Sequence, residues 1–151
     1  MVDRAEELGV QEFWILETRR TIVKMNPEAR ERARRRWERI VIEAAKQAGS
    51  PVLTALGGPL PFERVVEEKL APEDQAFLFH PDPKGLSFSE MVKGIDPAPP
   101  LFLFFGPEGG FTEGEVRWAE SKGIKRVFLG DSILRLETAF LGVVGALRFL
   151  S

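Results

Sequence analysis

Cysteine is absent from this sequence of 151 residues, and histidine occurs once, at His80. Without cysteine the chain cannot form disulfides, thiolate nucleophiles, zinc ribbons or iron–sulfur clusters. A single histidine also excludes a metal site built from several histidine ligands. Any catalysis must therefore rely on carboxylates, arginines, hydroxyl groups and the backbone.

The sequence also lacks a long apolar run and a strong net charge. Its most apolar stretch, Ala139 to Leu147, has nine residues, whereas a membrane-spanning helix needs about 20. The first four residues lack the basic and then apolar pattern of a signal peptide. The net charge of −2 argues against a surface that binds nucleic acid throughout, although local patches can differ. We therefore expect a cytoplasmic protein without membrane insertion.

The length, the hydrophobic fraction of 44% and the charged fraction of 29% are typical of one soluble domain. Apolar runs alternate with patterns of helical period, which predicts an α/β fold with a mainly parallel sheet and helices on both faces. The predicted strands are Val10–Glu17, Pro51–Leu56, Ala76–Phe79, Leu101–Phe105 and Lys125–Leu129. Leu101–Phe105 is the most apolar of them and is expected to be the central strand.

Five segments carry helical patterns. They are Val2–Leu8, Asn26–Ala48, Pro61–Leu70, Thr112–Lys122 and Leu136–Leu150. The second has the clearest ends, because Asn26 is an N-cap before Pro27 and Gly49 suits the C-terminus. Its first half carries a cluster of arginines, namely Arg30, Arg32, Arg34, Arg35, Arg36 and Arg39. These arginines can form a solvated face that nearby glutamates partly neutralise, or they can contact a nucleic-acid backbone.

The last predicted helix, Leu136–Leu150, is apolar on nearly all sides. Such a helix must be covered on more than one side. In a domain of this size the pattern suggests a partner subunit. Gly142 and Gly145 would let two backbones approach closely.

The loop Gly106–Gly110 follows the most apolar predicted strand, and the next helix opens with the capping-box residues Thr112 and Glu115. A second glycine loop follows Val127–Leu129. We expect these two strand ends to lie side by side. In parallel α/β sheets, ligands bind at such carboxyl ends of strands.

The residues of the Gly106–Gly110 loop limit the kinds of ligand that it can bind. The loop has neither the lysine and hydroxyl residue of a P-loop nor the dinucleotide-binding fingerprint. Gly109 and Gly110 allow close approach to the backbone, and the following helix offers free N–H groups. Glu108 would repel a phosphate, so a ligand with a cationic centre, or with hydroxyl and amine groups, suits the loop better. A purely structural turn is the alternative.

The segment Ile133–Ala139, with the sequence ILRLETA, opens the last helix. Arg135 and Glu137 stand among apolar residues, where an unpaired charge should not be buried. They can form a structural ion pair with a helix cap, or they can face a pocket together with Thr138.

Two of these motifs resemble a known family. GPEGGF at Gly106–Phe111, and LG followed by ILRLETA, closely resemble motifs of the RsmE family of RNA methyltransferases in the SPOUT superfamily. Weaker resemblances are EELGV, ETRRTIVK, RWERIVIEAAKQAG and FLFHP, which begin at Glu6, Glu17, Arg36 and Phe77. The resemblance covers nearly the whole chain, and the C-terminal pair of motifs is its specific part.

The resemblance implies an S-adenosylmethionine-dependent enzyme, without a metal, that methylates N3 of a uridine in small-subunit (16S) ribosomal RNA. It implies a SPOUT-type fold with a trefoil knot near the C-terminus, formed by the loops that hold the cofactor. It also implies a homodimer with the active site at the subunit interface. The apolar last helix accords with that arrangement.

By the same resemblance, the cofactor lies against three strand ends, where the backbone binds the adenine edge and apolar side chains sandwich its ring. The residues implied are Leu78, Phe79, His80, Gly106, Pro107, Gly109, Gly110, Leu129, Gly130, Ile133 and Leu134. Arg135, and Arg20 of the partner subunit, are candidates to stabilise negative charge on the uracil oxygens. Glu108 and Glu137 are candidates for a base or an orienting group, and Thr138 for an orienting group.

The chain departs from the family pattern. Family members usually carry a small β-barrel RNA-binding domain before this region, whereas residues 1–151 are expected to form only the methyltransferase domain. Ser50 and Pro51 stand where the pattern has an arginine, and Arg4 and Glu6 replace a lysine and a threonine. We expect fewer electrostatic contacts with RNA. A dimeric module that binds cofactor or RNA without turnover is therefore one alternative function, and an α/β phosphoester hydrolase dependent on metal or phosphate is another.

Overall fold

The computed structural model describes residues 1–21 and 25–150. The motif ETRRTIVK extends over residues 22–24, so its last part lies outside the described residues. In chain order the elements are α1 (Val2–Glu7), β1 (Glu12–Glu17), α2 (Pro27–Ala48), β2 (Ala55–Pro61), α3 (Phe62–Lys69), β3 (Gln75–Phe79), β4 (Leu86–Ser87), α4 (Phe88–Lys93), β5 (Leu101–Phe105), α5 (Glu113–Ser121), β6 (Lys125–Phe128) and α6 (Leu136–Leu150).

All strand pairings of the described residues are parallel, as the alternation of strands and helices predicts. β1 and β2 form a two-stranded sheet, and the other strands form a sheet in the order β4-β6-β3-β5. Parallel neighbours need long crossover connections, and the intervening helices supply them. The predicted α/β class with a parallel sheet is confirmed.

The central strand is β3, which lies between β6 and β5. The expectation that β5 is central was wrong, because β5 is an edge strand of this sheet. Packing explains its apolar side chains: Leu103 and Phe105 pack with Phe13 of β1 and Phe140 of α6. Side-chain packing therefore covers one face of β5 although β5 lies at an edge. The expectation that the ends of β5 and β6 lie side by side was also wrong, since β3 separates them.

Helices cover both faces of the four-stranded sheet. Along β3 successive side chains point to opposite faces, so Leu78 joins one core cluster while Phe77 and Phe79 join another. The Leu78 cluster includes residues of α3 and α5. The other cluster includes Met91 of α4 and Val143 of α6. The predicted two-sided arrangement is confirmed.

The helix predicted from Asn26 to Ala48 forms with the predicted ends. The Asn26 side chain accepts a hydrogen bond from the Ala29 N–H, Pro27 occupies the first turn, and Gly49 takes the left-handed conformation at φ 66°. The arginines of the first half are exposed or half-buried, and several pair with glutamates of the same helix. This arrangement is that of a solvated face.

The strand predicted at Pro51–Leu56 was misplaced, because β2 runs from Ala55 to Pro61. Residues 51 and 52 form a bend, in which the Ser50 hydroxyl donates to the Val52 carbonyl at 2.7 Å. Gly57 lies within β2 and allows the Trp14 ring to lie against the backbone, where a Cβ would overlap the ring. Tertiary contact thus explains the glycine.

Candidate active site

The carboxyl ends of three neighbouring strands form the edge on which the site is built. β6, β3 and β5 are parallel, and Phe79 at the end of β3 is level with Phe105 and Val127. The pairing continues beyond β3, where the His80 N–H donates to the Val127 carbonyl at 3.0 Å. The structure therefore brings together the three segments predicted to hold a cofactor.

The apolar side chains at the end of β3 are not free to meet a ligand. Leu78 is 1% exposed and packs in the core. Phe79 is 8% exposed and stacks on Phe105, with ring centroids 4.5 Å apart and planes inclined by 16°. At these positions only the backbone is in reach of a ligand at the strand ends.

The Gly106–Gly110 loop is a tight turn with an exposed tip. The Gly110 N–H donates to the Pro107 carbonyl at 2.7 Å, and Gly110 has a φ of 68°. A Cβ on Gly106 would lie 2.9 Å from the Gly110 Cα, so this position has no space for a side chain. Phe111 anchors the loop in the core at 1% exposure, whereas Glu108 and Gly109 are exposed.

Arg20 lies on the Gly106–Gly110 loop of its own chain. Its Nη1 donates to the Gly109 carbonyl at 2.9 Å. The approach is close, because a Cβ on Gly109 would lie 3.0 Å from the Arg20 Cβ. The turn that carries Arg20 is closed by a hydrogen bond from the Thr21 N–H to the Thr18 carbonyl at 3.1 Å. That Arg20 acts in the active site of the partner subunit stays a prediction.

Glu115 joins this turn to the beginning of α5. Its Oε2 accepts hydrogen bonds from the Thr112 N–H at 2.7 Å and the Thr112 hydroxyl at 2.8 Å, which completes the predicted capping box. Its Oε1 accepts from the Arg19 N–H at 2.8 Å. Burial raises the pKa of the Glu115 carboxyl, but the hydrogen bonds from Thr112 and Arg19 outweigh this effect and hold the pKa below its ordinary value. The carboxylate is therefore charged at neutral pH.

The third segment, which follows β6, exposes both apolar and charged side chains. Gly130 has a φ of 112°, Ile133 is 90% exposed and Leu134 is 42% exposed; Leu129 is half-buried. The predicted catalytic residues of this segment, Arg135, Glu137 and Thr138, are all exposed. Exposed apolar residues at the carboxyl ends of strands indicate a surface that a ligand or a partner chain covers.

The possible structural ion pair of Arg135 and Glu137 does not occur. Within residues 1–21 and 25–150, neither side chain forms a salt bridge, and Glu108 also has none. The three side chains are exposed. That they act on a substrate stays a prediction.

A charged network lies beside His80. Its Nε2 is 3.8 Å from Oε1 of Glu113, and its Nδ1 is buried without a hydrogen-bond partner among the described residues. His80, Asp82 and Glu113 could together offer three metal ligands. However, Arg126 pairs with Asp82 and with Glu120, and a guanidinium beside Asp82 repels a divalent cation. The arrangement suits an ion-pair network better than a metal site.

Comparison with known proteins identifies the family. Residues 1–148 match the family described as RNA methyltransferase domain. The chain belongs to this family. This match, together with relatives named ribosomal RNA small subunit methyltransferase E, confirms the resemblance to the RsmE family.

Several relatives carry the name ribosomal RNA small subunit methyltransferase E, and two of them show the range of identity. The protein of Synechocystis sp. is 37% identical over 133 residues, which cover 88% of this chain and 43% of that protein. The protein of Bacillus subtilis is 29% identical over 154 residues, which cover 99% of this chain and 59% of that protein. The chain thus spans about half the length of the curated relatives that it matches.

Solved structures of methyltransferases have a similar fold. A Legionella pneumophila methyltransferase in complex with the cofactor SAM superposes with a TM-score of 0.86 and 29% identity, covering 99% of this chain and 59% of that chain. Ribosomal RNA small subunit methyltransferase E of Neisseria gonorrhoeae, bound to S-adenosyl methionine, gives 0.84 and 29% with the same coverage. This RNA methyltransferase domain therefore has the fold of enzymes crystallised with that cofactor.

Sequence patterns missed some features of the site. β4 and α4 were not predicted, although Ser87 and Glu90 form a capping box that signals a helix start. The hydrogen bond from the Arg19 N–H to Glu115 joins residues 96 positions apart, and no local pattern indicates it. Among the helices of the described residues, none combines the length and apolarity that a membrane span requires.

Proposed function

We propose that this chain is an S-adenosylmethionine-dependent methyltransferase that acts on N3 of a uridine in 16S ribosomal RNA. The observation that carries the proposal is the meeting of three motif-bearing segments, after β3, β5 and β6, at one edge of a parallel sheet. Family membership and the two cofactor-bound structures of similar fold support it. The phosphoester hydrolase interpretation gains no comparable support.

The residues at this edge suit the cofactor. An adenosine needs apolar surface for its ring and backbone groups for its polar edge. The exposed Ile133 and Leu134 offer apolar surface for the ring. The backbones of the loops after β5 and β6 offer hydrogen-bonding groups for the polar edge. The buried Nδ1 of His80, which has no hydrogen-bond partner among the described residues, adds one polar atom at the end of β3. When bound, S-adenosylmethionine supplies a methyl group on a sulfonium centre.

The charged residues suit the uridine. Transfer to N3 requires loss of the N3 proton, which places negative charge on the uracil carbonyl oxygens. Arg135, and Arg20 of the partner subunit, are the donors proposed to stabilise that charge. Glu108 and Glu137 are proposed to accept the proton or to orient the base, with Thr138 as a further orienting group. All five side chains are exposed, so an unstacked uridine can reach them.

The finer architecture belongs to the same proposal. We propose that the strand-end loops form a SPOUT-type trefoil knot near the C-terminus, that residues 1–151 act as one SPOUT domain, and that two chains associate through α6. The exposed Leu141 and Phe149 on α6 support the dimer, as does the open space at Gly142 and Gly145. A cytoplasmic location follows from a ribosomal RNA substrate.

The test is methyl transfer measured separately from cofactor binding. The wild-type chain is expected to bind S-adenosylhomocysteine in calorimetry, without added metal, and to form 3-methyluridine in 16S ribosomal RNA. Arg135→Ala is expected to lower kcat by about 100-fold, the effect of removing a donor to a developing oxyanion, with unchanged S-adenosylhomocysteine affinity. Arg64→Ala, which breaks an exposed ion pair with Glu68 on α3, is the control and should retain full activity.

Two outcomes contradict the proposal. Binding of S-adenosylhomocysteine without methyl incorporation favours a cofactor-binding or RNA-binding module without turnover. Because the chain spans about half the length of these relatives, such a binding module is the second candidate function. Activity that requires a metal ion, with no binding of S-adenosylhomocysteine, favours the hydrolase.

A further inference from the structure

The turn that carries Arg20 donates one hydrogen bond to the Gly106–Gly110 loop and another to Glu115 at the beginning of α5. Arg20 donates from the turn to the Gly109 carbonyl at 2.9 Å. Glu115, at the beginning of α5, accepts from the Arg19 N–H at 2.8 Å. One contact is made by an exposed side chain, and the other is made by a carboxylate that is only 2% exposed.

We propose that Glu115 is a positioning residue, which fixes the Thr18–Thr21 turn against α5 and thereby holds Arg20 on the Gly106–Gly110 loop. The role of Arg20 in the reaction rests on the proposed function. Glu115 itself lies in the core and does not reach the exposed edge, so it acts through Arg20.

The two carboxylate oxygens of Glu115 accept hydrogen bonds from different parts of the chain. Oε2 receives both Thr112 donors and completes the capping box, which any helix start of this type can use. Oε1 is left to receive the backbone N–H of Arg19 from a distant part of the chain. Only a carboxylate can accept on both oxygens, because an amide would present an NH₂ group on one side.

The geometry explains how the Thr18–Thr21 turn places Arg20 near the Gly109 carbonyl. Arg20 follows Arg19 directly, so a fixed Arg19 backbone fixes the origin of the Arg20 side chain. The Thr18 side chain reinforces the turn by accepting from the Arg20 N–H at 3.2 Å, and Thr18 is 4% exposed. A fixed origin lowers the entropy cost of placing the exposed Arg20 side chain on the Gly109 carbonyl.

A second capping box provides a matched control. In α4, Glu90 Oε2 accepts from the Ser87 N–H at 2.8 Å and from the Ser87 hydroxyl at 2.6 Å. This repeats the local chemistry of Thr112 and Glu115. Glu90 is exposed, and no hydrogen bond joins it to another described segment of the chain. Glu90→Gln therefore removes a capping carboxylate without touching the Arg20 turn.

The first experiment is a double-mutant cycle on kcat with Arg20→Ala, Glu115→Gln and the combined variant. We expect Glu115→Gln to lower kcat by at least about tenfold, equivalent to one charge-assisted hydrogen bond, with the RNA KM unchanged and Glu90→Gln at the wild-type value. In the Arg20→Ala background Glu115→Gln should cause no further loss. Additive losses, or full activity of Arg20→Ala, overturn the inference.

The second experiment is amide hydrogen exchange, which requires no turnover. Glu115→Gln should speed exchange of the Arg19 N–H and of the Gly110 N–H, whereas Glu90→Gln should change neither. If the wild-type chain shows no methyl transfer, the proposed function fails while this measurement still decides the role of Glu115. Unchanged exchange at Arg19 overturns it. If Glu115→Gln does not fold, Glu115→Asp is the substitute, since its shorter side chain keeps the charge but cannot span Thr112 and Arg19.

Discussion

At the scale of single residues, Glu115 links the stability of the protein to pH. Burial acts to raise the pKa of its carboxyl, but the hydrogen bonds from Thr112 and Arg19 prevail and lower it below the ordinary value of 4.5. A carboxyl with a lowered pKa in the folded state stabilises that state above its unfolded pKa. This stabilisation is lost as the pH falls through the folded pKa.

The corresponding prediction concerns acid unfolding. We expect the free energy of unfolding of the wild-type chain to exceed that of Glu115→Gln at pH 7, and the difference to shrink as the pH falls below 4.5. Urea unfolding followed by circular dichroism from pH 7 to pH 3 measures it. Parallel curves for the two proteins would show that the Glu115 carboxylate adds no pH-dependent stability.

Residue types alone indicated much of this site. The capping box of Thr112 and Glu115 is a local pattern, and it forms as predicted. The second partner of Glu115 could not be predicted, because the Arg19 N–H comes from a turn that only the folded chain brings near. Arg20 was singled out as a reacting group by resemblance, and its contact with Gly109 emerged only in three dimensions.

At the scale of elements, the Gly106–Gly110 loop depends on a close backbone contact. A Cβ on Gly106 would meet the Gly110 Cα at 2.9 Å and a Phe111 ring carbon at 3.1 Å, so the loop cannot keep its shape around a side chain. Gly106→Ala is therefore expected to weaken S-adenosylhomocysteine binding by at least about tenfold, equivalent to about 1.4 kcal/mol.

The control is Gly114→Ala in α5, where an added Cβ meets only the Thr112 hydroxyl at 3.9 Å. Alanine favours the helix over glycine, so this variant should bind as well as the wild type and be at least as stable. Calorimetry and thermal unfolding compare the two. Equal affinity of Gly106→Ala and wild type would mean that the loop does not shape the cofactor site.

Elements with local signals were predicted well, and those shaped by contacts were not. The ends of α2 follow from Asn26, Pro27 and Gly49, which act within one turn of the helix. β2 was misplaced because glycine usually interrupts a strand, whereas Gly57 here makes room for the ring of Trp14.

At the scale of the whole molecule, α6 leaves an apolar face open in the single chain. Phe140, Val143 and Val144 are buried, while Leu141 is 42% exposed and Phe149 is 81% exposed. A second copy of the chain is the partner that the proposed function requires. Gly142 and Gly145, where an added Cβ would meet no atom within 4 Å, would let two backbones approach closely.

We therefore predict a dimer that Leu141→Arg dissociates, because a charge at an apolar contact is left unpaired on burial. Ile42→Arg on α2 is the matched control, since Ile42 is 41% exposed in the single chain. Sedimentation at micromolar concentration should give a dimer for the wild type and Ile42→Arg and a monomer for Leu141→Arg. A monomeric wild type, or equal behaviour of the two variants, would contradict an interface on α6.

The sequence by itself determined the α/β class, the caps of the helices and the motifs that identify the family. Each of these depends on residues close together in the chain, where backbone preference and hydrogen bonding are local. The order of the strands was decided only by tertiary structure: β3 lies inside the sheet, and β5 lies at an edge with one face packed against Phe13 and Phe140. Tertiary structure alone also brings together four residues of the site, namely Arg19, Arg20, Gly109 and Glu115. Hydrogen bonds between residues far apart in the sequence depend on how the whole chain packs.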